Sequence, residues 1–364
     1  MQKLYMIPRS CPQHTAPAKQ SGHAPGPQQL PDWREELRRA ITSPEELLQV
    51  LQLAKSHGKS RWLADIKQHE QLAAQRFSLK VPRGFVARMQ IGDPYDPLLL
   101  QVLARVEETQ AVDGFNADPV GDQAATCEPG LIQKYHGRAL LITTGACAIH
   151  CRYCFRRHFP YSESHTGGNK LDHALTAIHA DTSLKEVILS GGDPLMLDDE
   201  ALALCLEKIG RIPHIERIRI HSRLPIVLPE RITAALAQVL AARNQDVILV
   251  VHANHPNEID SNVIHALTRL YQADIRLYNQ AVLLKGVNDD SQVLATLCEL
   301  LFRHHVQPYY LHQLDRVAGA AHFEVPEARA KTMVRELQAI LPGYLVPKYT
   351  REIPGAPAKT LINI

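Results

Sequence analysis

Between residues 139 and 311, short runs of apolar and β-branched residues recur, and longer stretches with helical spacing lie between them. The runs are 139–144, 186–190, 217–220, 246–251, 275–284 and 306–311; stretches such as 200–209, 229–242 and 290–304 read as helices. Strands alternating with helices predict a parallel sheet with right-handed crossovers. Six strand–helix units are too few for a closed eight-stranded barrel, so the expected fold is α/β, an open partial (β/α)6 barrel.

Upstream the pattern differs. Ser43-Pro44-Glu45-Glu46 has the form of a capping box with proline at the first helical position, and Leu47, Leu48, Leu51 and Leu53 follow it. From there to about Asp122 the chain is expected to be mostly helical, broken by turns at VPRGF and DPYDP. Residues 1–31 are rich in Pro, Gln, Gly and Ala without periodicity and read as a flexible leader. The expected divisions are therefore 1–31, a helical region at 32–128, a core at 133–345 and a short C-terminal segment at 346–364.

Composition narrows the field. With 364 residues, 45% of them hydrophobic, the chain can bury a large core. Forty Lys and Arg against 38 Asp and Glu leave a net charge of +2, which gives no global electrostatic case for nucleic acid. No apolar stretch approaches a membrane span, and the first residues lack the apolar centre of a signal peptide, so a cytoplasmic location is expected. Seven cysteines are an odd number, and three crowd into eight residues, which points to metal rather than disulfides.

Polar clusters fall mostly just after the predicted strands, where barrel active sites gather. The first is Cys147-Ala-Ile-His-Cys-Arg-Tyr-Cys154. Three thiolates at C-x3-C-x2-C can hold three irons of a cubane and leave the fourth open to a substrate. A zinc site would need a fourth ligand, which His150 or His158 could supply, and ferredoxin loops use a different four-cysteine spacing. The cluster is the better reading. Cys11, Cys127, Cys205 and Cys298 have no such spacing and read as ordinary cysteines.

CAIHCRYC resembles the radical S-adenosylmethionine (SAM) motif, and SGGDP at residues 190–194 resembles the glycine-rich strand end that receives SAM in that superfamily. CRYCFRRHF, HSRLPIVLPERIT, HANHPNE, NQAVLLKGVND and IPGAPAKT resemble stretches of the lysine 2,3-aminomutases, in register from about Pro129 onward. Within that family, RALLITTGACAIHCRYCFRRHFPY and PYYLHQLDRVAGAAHF are most similar to the branch that makes β-lysine for elongation factor P.

The resemblance implies a radical SAM barrel with an N-terminal helical domain and a C-terminal segment that binds pyridoxal 5'-phosphate (PLP). It implies a 4Fe-4S cluster on Cys147, Cys151 and Cys154, SAM beside Ser190, Gly191, Gly192 and Asp193, and PLP on Lys359. Arg138, Lys134, Tyr135, Gln280 and His252 match cofactor contacts. Arg156 matches the arginine that pairs with the substrate carboxylate; Asp315 and Glu352 match the acids that face its side-chain ammonium. Catabolic members carry Asp where this chain has Glu352, seven residues before Lys359.

The implied reaction is an adenosyl-radical, PLP-dependent 2,3-amino shift converting L-lysine to β-lysine, the R isomer by analogy with the nearest branch. It needs an external one-electron reductant. Its product would go to elongation factor P through a lysyl-tRNA-synthetase-like ligase. Because the sequence stops soon after Lys359, without the cysteine-bearing extension of catabolic members, tetramers through an intersubunit zinc site are not expected. The alternatives are an aminomutase for arginine or glutamate, and an iron-sulfur protein without SAM turnover.

Overall fold

The structure, a computed structural model, describes residues 32–53, 77–161 and 170–364; the leader expected at 1–31 lies outside them. Its centre is a ten-stranded sheet whose spatial order follows the chain. The strands β1 (Thr126–Glu128), β2 (Leu131–Ile132) and β3 (Arg138–Thr144) pair antiparallel. Parallel strands continue from β3: β4 (Glu186–Gly191), β5 (Arg217–Ser222), β6 (Asp246–Val251), β7 (Arg276–Val282), β8 (Val306–His312) and β9 (Lys348–Arg351). A last strand, β10 (Thr360–Leu361), folds back antiparallel on β9.

The partial barrel stands, with one correction: β9 is a seventh parallel strand where six were expected. It is only Lys-Tyr-Thr-Arg, with a charge at each end and no apolar run. Pairing makes it a strand, since Tyr310, Leu311 and His312 of β8 lie opposite Lys348, Tyr349 and Thr350. Its consequence for the site is large. Arg351 lies opposite Thr360, so the next positions across this hairpin are Glu352 and Lys359.

The crossover helices start where the sequence offers caps. Asp198, Thr233, Asp260 and Asp290 accept from backbone N–H groups at the starts of Asp199–Gly210, Ala234–Ala241, Ser261–Gln272 and Ser291–Arg303. Leu202, Cys205, Leu206 and Ile209 form one buried stripe of the first of these, at helical spacing. The helix expected over 229–242 is instead a 3-10 turn, Pro229–Arg231, and then the Thr233-capped helix.

The N-terminal part departs further. Its described helices are short: Trp33–Arg38, Pro44–Val50 and Arg83–Val86. Ser43 does accept from the Glu46 N–H, at 3.2 Å, but the Glu46 carboxylate pairs with Arg83 instead of completing the box. From residue 87 to 125 the chain is turns and two 3-10 helices, not the expected α-helix. Asp-Pro and Gly-Asp steps punctuate this stretch too often for a helix to propagate. Its apolar residues, among them Met89, Leu99 and Leu103, join the core formed by the sheet and its helices. Among the described residues, no helix is long and apolar enough to cross a membrane.

Candidate active site

Every residue the sequence singled out as a cofactor, cluster or substrate contact lines one cavity of about 470 Å³ at the C-terminal ends of the strands. Cys147, Cys151 and Cys154 lie on the loop after β3, which long-range contacts clamp. The His150 N–H donates to the Lys80 carbonyl (2.9 Å) and the Arg152 N–H to that of Gln101 (2.8 Å). Behind the loop the Glu108 carboxylate takes Arg152 (2.5 Å) and Arg157 (2.8 Å), all three nearly removed from solvent. Deleting Glu108 would strand two buried cations, at a cost of about 3–5 kcal/mol.

The three cysteines are half-buried, and the loop holds Cys147 and Cys154 close enough to the neighbouring thiols to feel their charge. Burial first, and then Cys151, pushes Cys154 up to about 11; burial and Cys154 raise Cys147 as well. Thiols in this state release their protons to a metal rather than to water. Among the described residues no three His, Cys, Asp or Glu converge on a single-ion site. A cubane makes no such demand, because each thiolate meets a different iron.

The glycine segment after β4 is pressed against this loop. Gly191 has φ +129°, and a Cβ there would stand 2.4 Å from the Thr144 carbonyl oxygen; one on Gly192 would stand 2.3 Å from that of Ala146. Only glycine lets these backbones meet. The Gly192 and Asp193 N–H groups donate to Thr144 (2.7 Å) and Ala146 (2.9 Å). The Asp193 carboxylate turns inward, accepting from the Ser222 hydroxyl and the Arg223 N–H, each at 2.8 Å. Burial raises it to about 6 against the pull of those donors. The thiols and this glycine cradle fit a cluster and its SAM.

At the other wall a row of alternating charges crosses the cavity. Arg156 Nε donates to Asp122 (2.6 Å), and Asp122 also takes Lys134 (2.5 Å). Lys134 reaches Glu352 (2.9 Å), and Glu352 takes Lys359 (2.7 Å). Burial opposes ionisation of Glu352, but Lys359 and Lys134 outweigh it and pull it down to about 2. Asp122 is likewise held below the usual carboxylate range by Arg156 and Lys134, against burial. Arg156 Nη1 also donates to the Ser190 hydroxyl (2.9 Å), which ties this row to the glycine strand.

Asp315 is different. Burial pushes its carboxyl up to about 7, with Lys359 pulling the other way. It faces the same cavity as Glu352 and Lys359 and adds a third anionic site to Asp122 and Glu352, against the three cations Arg156, Lys134 and Lys359. Around Lys359 stand three histidines. Gln280 Nε2 donates to His252 Nε2 (2.8 Å) and His221 Nδ1 (3.2 Å), and His312 Nε2 donates to Gln280 Oε1 (3.4 Å). Burial drives all three imidazoles down, His252 to about 3, so they stay neutral beside the lysine. His221 Nε2 is buried with no partner. Arg138 lies over the Tyr135 ring (5.6 Å), and both line the cavity. A lysine amine, an arginine, a tyrosine and an unpaired imidazole nitrogen are a donor set that fits a phosphorylated aldehyde cofactor.

Sequence reasoning missed Asp122, His221, His312 and Arg223. The last three follow predicted strands as polar clusters, which was their only signal; Asp122 sits in a Gly-Asp turn that carries none.

A partial barrel with three thiols on the loop after its first parallel strand and a glycine cradle after the next defines a radical SAM enzyme. Residues 141–298 match the family model of the Radical SAM superfamily. The chain is 46% identical over 333 residues to the L-lysine 2,3-aminomutase of Escherichia coli (strain K12), covering 92% of this chain and 95% of that protein. It is 44% identical to that of Haemophilus influenzae, over 91% of this chain and 95% of the relative. To that of Clostridium subterminale it is 34% identical, over 90% and 77%. The chain belongs to the lysine 2,3-aminomutase family. It is thereby an isomerase whose cofactors are a 4Fe-4S cluster, SAM and PLP.

Proposed function

We propose that the protein is an L-lysine 2,3-aminomutase that moves the α-amino group of L-lysine to C3 and yields (R)-β-lysine. The relatives' names support the reaction, and the observation that carries the substrate is the pair of carboxyl groups, Asp315 and Glu352, in one cavity with Lys359. An ammonium buried without a counter-charge is costly, so a pocket that takes lysine needs acids at its far end. A glutamate-specific pocket would need cations or amides there.

Cys147, Cys151 and Cys154 hold the cluster, with SAM against Gly191 and Gly192. Lys359 would hold PLP, with Arg138, Tyr135, Gln280 and His252 of the same cavity as its further contacts. When bound, cluster and SAM supply hydrogen-abstracting radical chemistry, and PLP supplies the π-system across which nitrogen can migrate. The chain's own residues prepare the site for this. Glu352 holds the Lys359 ammonium until the amine is needed. Neutral His221, His252 and His312 add no second cation beside it. Arg156 presents its guanidinium toward a carboxylate, its charge steadied by Asp122. Apolar residues between the charged rows, among them Ile132, Leu140, Ile188 and Val282, would keep water from a radical.

The location we propose is cytoplasmic, where a low-potential electron donor is at hand. The elongation factor P role rests on the similarity of residues 138–161 and 308–323 to that branch. Loss of β-lysine on elongation factor P when the gene is deleted, restored by added β-lysine, tests that role. Anaerobic incubation of the reconstituted, reduced protein with SAM, PLP and lysine, arginine or glutamate, with β-isomers read by mass, tests the reaction. Turnover of glutamate or arginine in preference to lysine overturns the assignment.

A further inference from the structure

The buried guanidinium of Arg223 has no part in the chemistry described above. It follows β5, and Nη1 donates to Cys151 Sγ at 2.7 Å. Its other arm, Nη2, donates to Gln101 (2.7 Å) and Glu258 (3.1 Å). Its backbone N–H is fixed by the Asp193 carboxylate at 2.8 Å, and its plane lies near the rings of Phe85 and Tyr153. Only 5% of the residue is exposed, so water screens its charge poorly. Glu258, fully buried, is the acid that offsets it.

An arginine so tightly held has a geometry that cannot relax away from the sulfur. We propose that Arg223 is a positioning and tuning residue for the cluster: it raises the cluster's reduction potential through its hydrogen bond and charge at Cys151, and Glu258 limits that rise. The physical reason is direct. Reduction adds one electron, and with it negative charge, to the cluster and its sulfurs. A fixed donor and cation at one of those sulfurs favours the more negative state. The inference rests on Cys151 being a cluster ligand.

The test is a potentiometric titration of the reconstituted protein without SAM or lysine, the reduced cluster followed by electron paramagnetic resonance. Arg223→Gln removes the charge and should lower the potential. A roughly tenfold fall in the reduced-to-oxidised ratio at fixed poise is expected, about 59 mV for a one-electron couple. Glu258→Gln keeps Arg223 and removes its offset, so the potential should rise. Opposite shifts support the inference, because general loosening of the site would move both variants the same way. An unmoved potential in either variant, or shifts of one sign, overturns it. If Arg223→Gln fails to hold a cluster, Glu258→Gln decides alone, and any result other than a rise overturns the inference. A wild-type protein that assembles no cluster would instead overturn the ligand assignment beneath it.

Discussion

The thiol wall and the lysine wall of the cavity are built in different ways. The three thiols come from eight consecutive residues on one loop, which long-range contacts clamp from behind. At the lysine wall, Lys134 meets Glu352 across 218 positions of sequence, and Arg156 meets Asp122 across 34. The first wall can be damaged one ligand at a time. The second is a chain of paired charges in which Asp122 and Glu352 each serve two cations, so removing either acid exposes two others. Redundancy is low in both, but coupling is strong only in the second.

The sharpest test of this contrast is at the thiols. Replacing Cys147, Cys151 or Cys154 singly by Ala should abolish SAM cleavage, read as 5'-deoxyadenosine released from the reduced protein. Normal cleavage in all three would remove the cluster from this loop. Next in size, Lys359→Ala should lose borohydride-trappable PLP and all amino migration while iron-sulfur absorption stays. Persistence of trapped PLP would place the cofactor on another lysine.

Asp315 gives a smaller and graded effect. Asp315→Asn and Glu352→Gln should each cut kcat/KM for lysine roughly 30-fold or more, from about 2 kcal/mol of lost charge pairing, with cluster content unchanged in both and PLP content unchanged in Asp315→Asn. The pH dependence separates the two acids. Glu352 is ionised throughout the working range, since it is pulled down to about 2. Asp315 is raised from 3.8 to about 7, so an ammonium finds it charged only as pH rises through that value. The apparent affinity for lysine should therefore rise roughly tenfold from pH 6 to 8 in the wild type, and be flat in Asp315→Asn.

Stability should move the other way. A raised folded-state pKa favours the protonated form, so the contribution of Asp315 is present below about pH 4 and is lost as pH rises through about 7. Denaturant midpoints measured across this range check the sign. Smallest of all, Cys205→Ala should leave cluster and SAM cleavage intact. Cys205 is buried on the core side of helix Asp199–Gly210, and its loss should cost about 1 kcal/mol.

The legible parts of the fold were those with a period or a spacing. Six of the parallel strands announced themselves as apolar runs, and helical spacing at 200–209 and 290–304 marked the helices Asp199–Gly210 and Ser291–Arg303. Residues 87–125 misled because scattered leucines imitate helical spacing while Asp-Pro and Gly steps decide the backbone. β9 was illegible because a four-residue strand of mixed polarity has no pattern of its own. Asp122 carried no motif, and only the approach of Arg156 and Lys134 gives it a role.

The sequence by itself determined the thiol loop and the glycine cradle, because both depend on contiguous residues and on the absence of side chains. It also determined six of the seven parallel strands, through local polarity, whereas β9 became a strand only by pairing with β8. Tertiary structure alone decided what each charge does. The register of the β9–β10 hairpin sets Glu352 against Lys359, and the curl of the sheet brings Lys134 to the same carboxylate. The reason is that electrostatic roles depend on separation in space and on burial, and neither can be read along a chain whose partners lie anywhere from 7 to 218 residues apart.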